Sequence, residues 1–162
     1  MDTAIIFIAK YLFITSIVAY LIFSFFLWRT NIKKFKYFFI LSLSSFSLIY
    51  VVGKILSVAI SDPRPFVVEN IPPLIEHAAN NGFPSTYTLI TITIASVIFA
   101  YNKKLGIILF VIALSIGTAR VLASIVHPVD IIGAILIGVS VTTFVFSIIT
   151  LHSMYNNDDN AY

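Results

Sequence analysis

Cysteine is absent from this 162-residue chain, so neither a disulfide nor a thiolate metal site is available, and the redox compartment stays open. Charge is scarce: Asp, Glu, Lys and Arg make up 10% of the residues, against about 25% in a typical soluble domain. The net charge of +3 is too small, and too confined to connecting segments, to leave the footprint of a nucleic-acid binder. Internal repeats, low-complexity tracts and strand-like alternation are also missing. What remains is apolar, with 59% hydrophobic residues and a mean hydropathy of +1.02. Lipid is the expected solvent for most of the length, and 162 residues suit one compact bundle rather than two domains.

Five apolar runs stand out, at 4–28, 37–61, 86–101, 104–125 and 129–151. A spanning helix needs about 20 such residues. Strands are excluded because the runs are too long and open sheet edges cannot sit in hydrocarbon. The first run exceeds the 7–15 residues of a signal-peptide core, and no small-residue cleavage site follows it, so it is expected to stay as an anchor. The expected fold class is an all-α, polytopic membrane helix bundle of about five transmembrane helices. Residues 1–152 would form one membrane-embedded domain, and 153–162, ending "NNDDNAY", a flexible tail.

Positive charge orients this bundle. Arg29, Lys33, Lys34 and Lys36 occupy the first connection, and Lys103 and Lys104 the third. Short connections rich in Lys and Arg stay cytoplasmic, which places the N-terminus outside, the C-terminus in the cytoplasm, and the segments 62–84 and around His127 on the outer face.

That outer face collects the polar residues with chemical potential: Lys54, Arg64, Glu69, Glu76, His77, Ser85, Tyr87, Arg120, His127 and Asp130. Guanidinium groups grip phosphate in a bidentate way, and a helix N-terminus offers free N–H groups to anions. Arg64, held between prolines in "SDPRPF", and Arg120, near the end of the fourth run, could therefore share an anion with the helix opening at Ser85. Plainer readings stand beside this one. Arg120 and Lys54 can snorkel to headgroups; Ser85 and Asp130 can simply cap helices; Arg64 can be a solvated loop charge, and His77 and His127 interfacial side chains.

The order Arg64-Pro65, then Pro84-Ser85 opening a helix, then Arg120 with Pro128-Val129-Asp130 ten residues on, resembles the type-2 phosphatidic-acid phosphatase/haloperoxidase superfamily. Its motifs read K-x6-R-P, P-S-G-H and S-R-x5-H-x3-D. The stretches "DPRPFVVENIPPLIEHAANNGFPSTYT" and "GTARVLASIVHPVDIIGA" are similar to the bacterial undecaprenyl-diphosphate phosphatase branch, with its "PRPF", "LIPHA" and "FPSDHT". The resemblance implies a lipid phosphate or diphosphate as partner, a bacterial inner membrane with the site facing outward, and no metal or cofactor. It implies that Arg64, Arg120, Ser85 and, in place of the motif lysine, Lys54 hold phosphoryl oxygens, with His77 as the loop histidine of that branch. The third-motif histidine of the family is a nucleophile oriented by the aspartate, here Asp130, and the second-motif histidine protonates the leaving group.

Three positions depart from the pattern. Ser57 stands at the motif lysine, Tyr87 at the proton donor and Val126 at the nucleophile. A phenol with an ordinary pKa near 10 is a poor acid at neutral pH, although a diphosphate leaving group asks less of it. His127, the next residue, could attack phosphorus only if the backbone compensates, because one helical step turns a side chain by about 100°. Three classes remain: an active phosphatase using His127, Asp130 and Tyr87; a degenerate relative that binds a lipid phosphate or a membrane partner; and a membrane protein whose outer loop has no ligand.

Overall fold

The computed structural model describes residues 2–158, with side chains described through 153. Six helices follow one another: α1 (Asp2–Thr30), α2 (Ile32–Ala59), α3 (Pro65–Val68), α4 (Thr86–Phe99), α5 (Lys103–Leu122) and α6 (Pro128–Asp158). Among the described residues there is no strand, only an isolated bridge between Pro63 and Asn81. Two asparagines start helices at tight reversals. Asn31 Oδ1 accepts from Lys34 N at 2.9 Å, and Asn102 Oδ1 accepts from Leu105 N at 3.1 Å, each satisfying one of the orphan donors of a first turn.

Four helices, not the expected five, are long and apolar enough to cross a membrane: α1, α2, α5 and α6. The run at 86–101 yields only the 14-residue α4, about 21 Å at 1.5 Å per residue. Its surroundings supply the physical reason. α4 packs against all four long helices, and Thr88, Thr91, Ile92, Thr93, Ala95, Val97 and Ile98 on it are essentially inaccessible. A helix enclosed by protein need not match the roughly 30 Å of hydrocarbon. Thr88, Thr91 and Thr93 turn inward, with Thr91 Oγ1 donating to Tyr87 O and Thr93 Oγ1 to Leu89 O, both at 2.8 Å.

The core lies toward the end that carries the first and third connections, where Phe23, Leu27, Phe38, Leu41, Ile98, Leu109 and Val145 meet. Phe38 of α2 stacks edge-on to Tyr101 of the α4–α5 turn at 5.4 Å. Arg29, Lys33, Lys34 and Lys36 thus share an end with Lys103 and Lys104, hereafter the lysine-bearing end. Gly106 permits α5 to lie against α4, since a Cβ there would fall 2.5 Å from Phe99 Cα. The opposite, loop-bearing end holds the 60–85 segment, the start of α4 and the α5–α6 corner. The segment expected as a tail, 153–162, is helical as far as Asp158; its remaining residues lie outside the described ones.

Candidate functional site

At the loop-bearing end, Arg64 is 6% and Arg120 5% exposed. Arg64 precedes Pro65, the first residue of α3, in extended backbone, as a residue before proline favours. Its guanidinium is spent on the protein. Nε donates to Asn80 Oδ1 at 2.9 Å, Nη1 to Ile125 O at 2.7 Å and Nη2 to Asn81 O at 3.4 Å. Burial pulls its pKa down, and the Asp130 carboxylate opposes that. Arg64 therefore ties the loop to the corner between α5 and α6.

Arg120, in the last turn of α5, has different company. Its guanidinium lies over the Tyr87 ring, 4.2 Å from the centroid, and Tyr87 meets Phe13 of α1 edge-on at 4.9 Å. Nη2 lies 3.3 Å from His77 Nε2. An arginine can only donate, so that imidazole nitrogen accepts, and Nδ1–H is left to donate to Ala78 O at 3.3 Å. The His77 ring is thus neutral. Burial first, then Arg64 and more weakly Arg120, hold its pKa below the ordinary histidine value. Arg120 Nε is buried and engages no hydrogen-bond partner among the described residues.

Ser85 occupies the N-cap of α4, but its side chain does not cap. Its Oγ pairs with Thr88 Oγ1 at 3.0 Å, and its backbone N donates to Asp130 O at 3.3 Å. Asp130 is fully buried. One carboxylate oxygen, Oδ2, accepts the His127 backbone N–H at 2.7 Å, and the carboxyl group also meets that of Asp62. The His127 ring is held by the loop: Nε2 lies 3.2 Å from Pro63 O and 3.6 Å from Asp62 Oδ1. Val126 is buried, 1% exposed.

Lys54 stands apart from Arg120, on α2. With Arg64 and Ser57 it lines a cavity of about 440 Å³ between α2, α4 and the loop, whose deeper wall includes Phe46, Ile49 and Leu89. Among the described residues no hydrogen bond or ion pair engages Lys54. The structure therefore gathers Arg64, His77, Ser85, Tyr87, Arg120, His127 and Asp130 at one end, and puts Lys54 beside Arg64 alone. Glu69 and Glu76 make no ion pair there.

Asn80, Asn81 and Asp62 carry weight that the sequence reading missed. Asn81 Oδ1 accepts from Asp62 N and Phe83 N, and its Nδ2 donates to Ser57 O and to Ile60 O. One side chain thus closes the neck of the loop. The signal available in sequence was "NNG" before the Pro-Ser step, which reads only as a turn.

A buried pair of arginines, a serine opening a central helix and an aspartate under a Pro-led helix define a class. The chain belongs to the PAP2 superfamily, whose family model matches residues 34–153. Two bacterial proteins are similar in sequence. One is the bacitracin transport permease protein BcrC of Bacillus licheniformis, 32% identical over 120 residues, 74% of this chain and 59% of that protein. The other is the undecaprenyl-diphosphatase BcrC of Bacillus subtilis, 27% identical over 140 residues, 86% of this chain and 70% of that protein. The fold is also similar to the crystal structure of Aquifex aeolicus LpxE, with a TM-score of 0.69 at 23% identity, covering 91% of this chain and 87% of that one.

Proposed function

We propose that this chain holds a polyprenyl or phospholipid phosphate at the loop-bearing end of the bundle and is a degenerate member of its superfamily, without phosphohistidine chemistry. The loop-bearing end would face the outside of a bacterial inner membrane, as the distribution of lysines favours. The observation that carries the reading is an arginine with a donor in reserve beside a nucleophile position that has no nucleophile. Arg120 Nε is buried with no hydrogen-bond partner among the described residues, while the family's nucleophile position holds Val126. In the family the aspartate orients the motif histidine; valine has no N–H to offer, and the Asp130 carboxyl group meets that of Asp62 instead. Arg120 keeps donors for an anion. Lys54 and the apolar wall of the cavity that Arg64 also lines suit a phosphate head with a hydrocarbon chain.

One observation favours hydrolysis by this chain instead. His127 Nε2 lies 3.6 Å from Asp62 Oδ1, and a carboxylate beside an imidazole is a common way to orient a nucleophile. The same purified preparation tests both readings. Phosphate release from undecaprenyl diphosphate and from phosphatidic acid is expected to be no greater for wild type than for Arg120→Ala, and to appear in Val126→His combined with Tyr87→His. Release by wild type that disappears in His127→Ala would establish His127 as the nucleophile and overturn the binding-only reading.

A further inference from the structure

The lysine-bearing end carries a second cavity, of about 370 Å³, remote from the arginines. It lies where the short α4 stops. α4 ends at Phe99, whereas the apolar part of α6 continues to Ser153, so α6 runs past it and leaves room under the α4–α5 turn. The apolar wall comes from Phe99, Phe110, Val139 and Phe146. Among the described residues that line it, Lys103 bears the only charge, and no ion pair engages that lysine.

A buried hydroxyl supplies an independent sign. On α6, Ser147 and Thr150 donate to the carbonyls four residues back, at 2.9 Å each. Thr142, which lines the cavity, does not: it is 3% exposed and its Oγ1 has no partner among the described residues. An unsatisfied buried hydroxyl is costly, and here its residue shares the lining of a cavity with Lys103. Cavities of about 300–1,000 Å³ with apolar walls and a few polar groups are the usual form of a ligand site, and basic pockets between spanning helices take anionic headgroups.

We propose that this cavity is a binding site for an anionic phospholipid of the leaflet that meets the lysine-bearing end. One acyl chain lies between α5 and α6 beneath the α4–α5 turn, and the phosphodiester sits on Lys103. The site is separate from the arginine cluster and does not depend on the function proposed for it.

Native mass spectrometry of the full chain, released from nanodiscs of phosphatidylglycerol and phosphatidylcholine in equal parts, tests this. Wild type should retain phosphatidylglycerol in preference to phosphatidylcholine. Lys103→Gln should weaken that preference about fivefold. Val139→Trp, which fills the cavity from its partly exposed rim, should abolish retention with helix content unchanged. Thr142→Val removes the hydroxyl without adding bulk, so it keeps the test open should the tryptophan disturb folding; it too should lower retention. Glycerol 3-phosphate, the anion without chains, should not displace the lipid. No preference in wild type, wild-type retention in Lys103→Gln or in both cavity variants, or displacement by glycerol 3-phosphate would each overturn the proposal.

Discussion

Arg64 and Arg120 are the same residue, buried to nearly the same degree at the same end of the bundle, yet their surroundings differ. Arg64 spends three N–H groups on oxygens contributed by Asn80, Asn81 and Ile125. Arg120 has an imidazole nitrogen, an aromatic face and an orphaned Nε. Both would hold phosphate according to the family resemblance. The difference teaches that burial alone does not reveal what an arginine does. Arg64 is largely consumed in closing the loop onto the α5–α6 corner, and Arg120 is the one whose donors remain in reserve.

The largest expected effect breaks the comparison on its structural side. Arg64→Ala leaves Ile125 O and Asn80 without their donor and Asp130 without a nearby cation, which should cost about 3 kcal/mol. Thermal unfolding in detergent and protease cutting within 66–80 would report it. An unchanged melting midpoint with an intact loop would show that the pin is dispensable.

Arg120→Met is the counterpart and should behave oppositely. Replacing a buried, incompletely satisfied cation by an apolar side chain of similar length is often nearly neutral, here within about 1 kcal/mol. Affinity for a lipid phosphate, measured in detergent by titration, should nonetheless fall at least about tenfold, the worth of one charge-assisted hydrogen bond. If Arg64→Ala loses affinity while stability holds, and Arg120→Met loses stability while affinity holds, the assignment of roles is inverted.

Much of this was legible before any coordinates. The charge asymmetry between connections and the length of the apolar runs already separate the two ends, and the motif order brings Arg64, Ser85, Arg120 and Asp130 into one neighbourhood. Length misled at one element. The run at 86–101 is apolar enough to look like a span, but apolarity does not distinguish a helix facing lipid from one enclosed by four others, and α4 is the latter. The direction of His127 was equally beyond reach. Its ring is set by Pro63 and Asp62, more than sixty residues earlier, and spacing along α6 says nothing about partners so distant. Asn81 illustrates the same limit, since its bonds to Ser57 and Ile60 cross the whole loop.

Tyr87 sharpens the contrast at intermediate size. Tyr87→Ala removes the ring from over Arg120 and from against Phe13 and should cost about 1–2 kcal/mol. Tyr87→Phe keeps both contacts and should stay within about 0.5 kcal/mol. Equal losses from the two would mean that the hydroxyl, rather than the ring, matters. Freed of its aromatic cover, Arg120 in Tyr87→Ala should bind lipid phosphate more tightly than wild type.

The smallest effect concerns His77, which makes its side-chain contact on the Arg120 side of the comparison. Its folded-state pKa lies below the ordinary value, chiefly through burial and then through Arg64. Near and below pH 6.5 the unfolded chain therefore binds a proton that the folded chain resists. Stability should fall as pH drops through that window and recover above it. The chemistry at the contact agrees. A protonated ring would turn an N–H toward the Arg120 guanidinium in place of the lone pair that now accepts from it. His77→Gln retains an acceptor and does not titrate, so between pH 8 and about pH 5 its melting midpoint should fall less than that of wild type, with the difference opening near pH 6.5. Every other group is common to the two proteins and cancels in that difference. Parallel curves would show that His77 is not neutral by necessity, and that Arg120 is held by the Tyr87 ring alone.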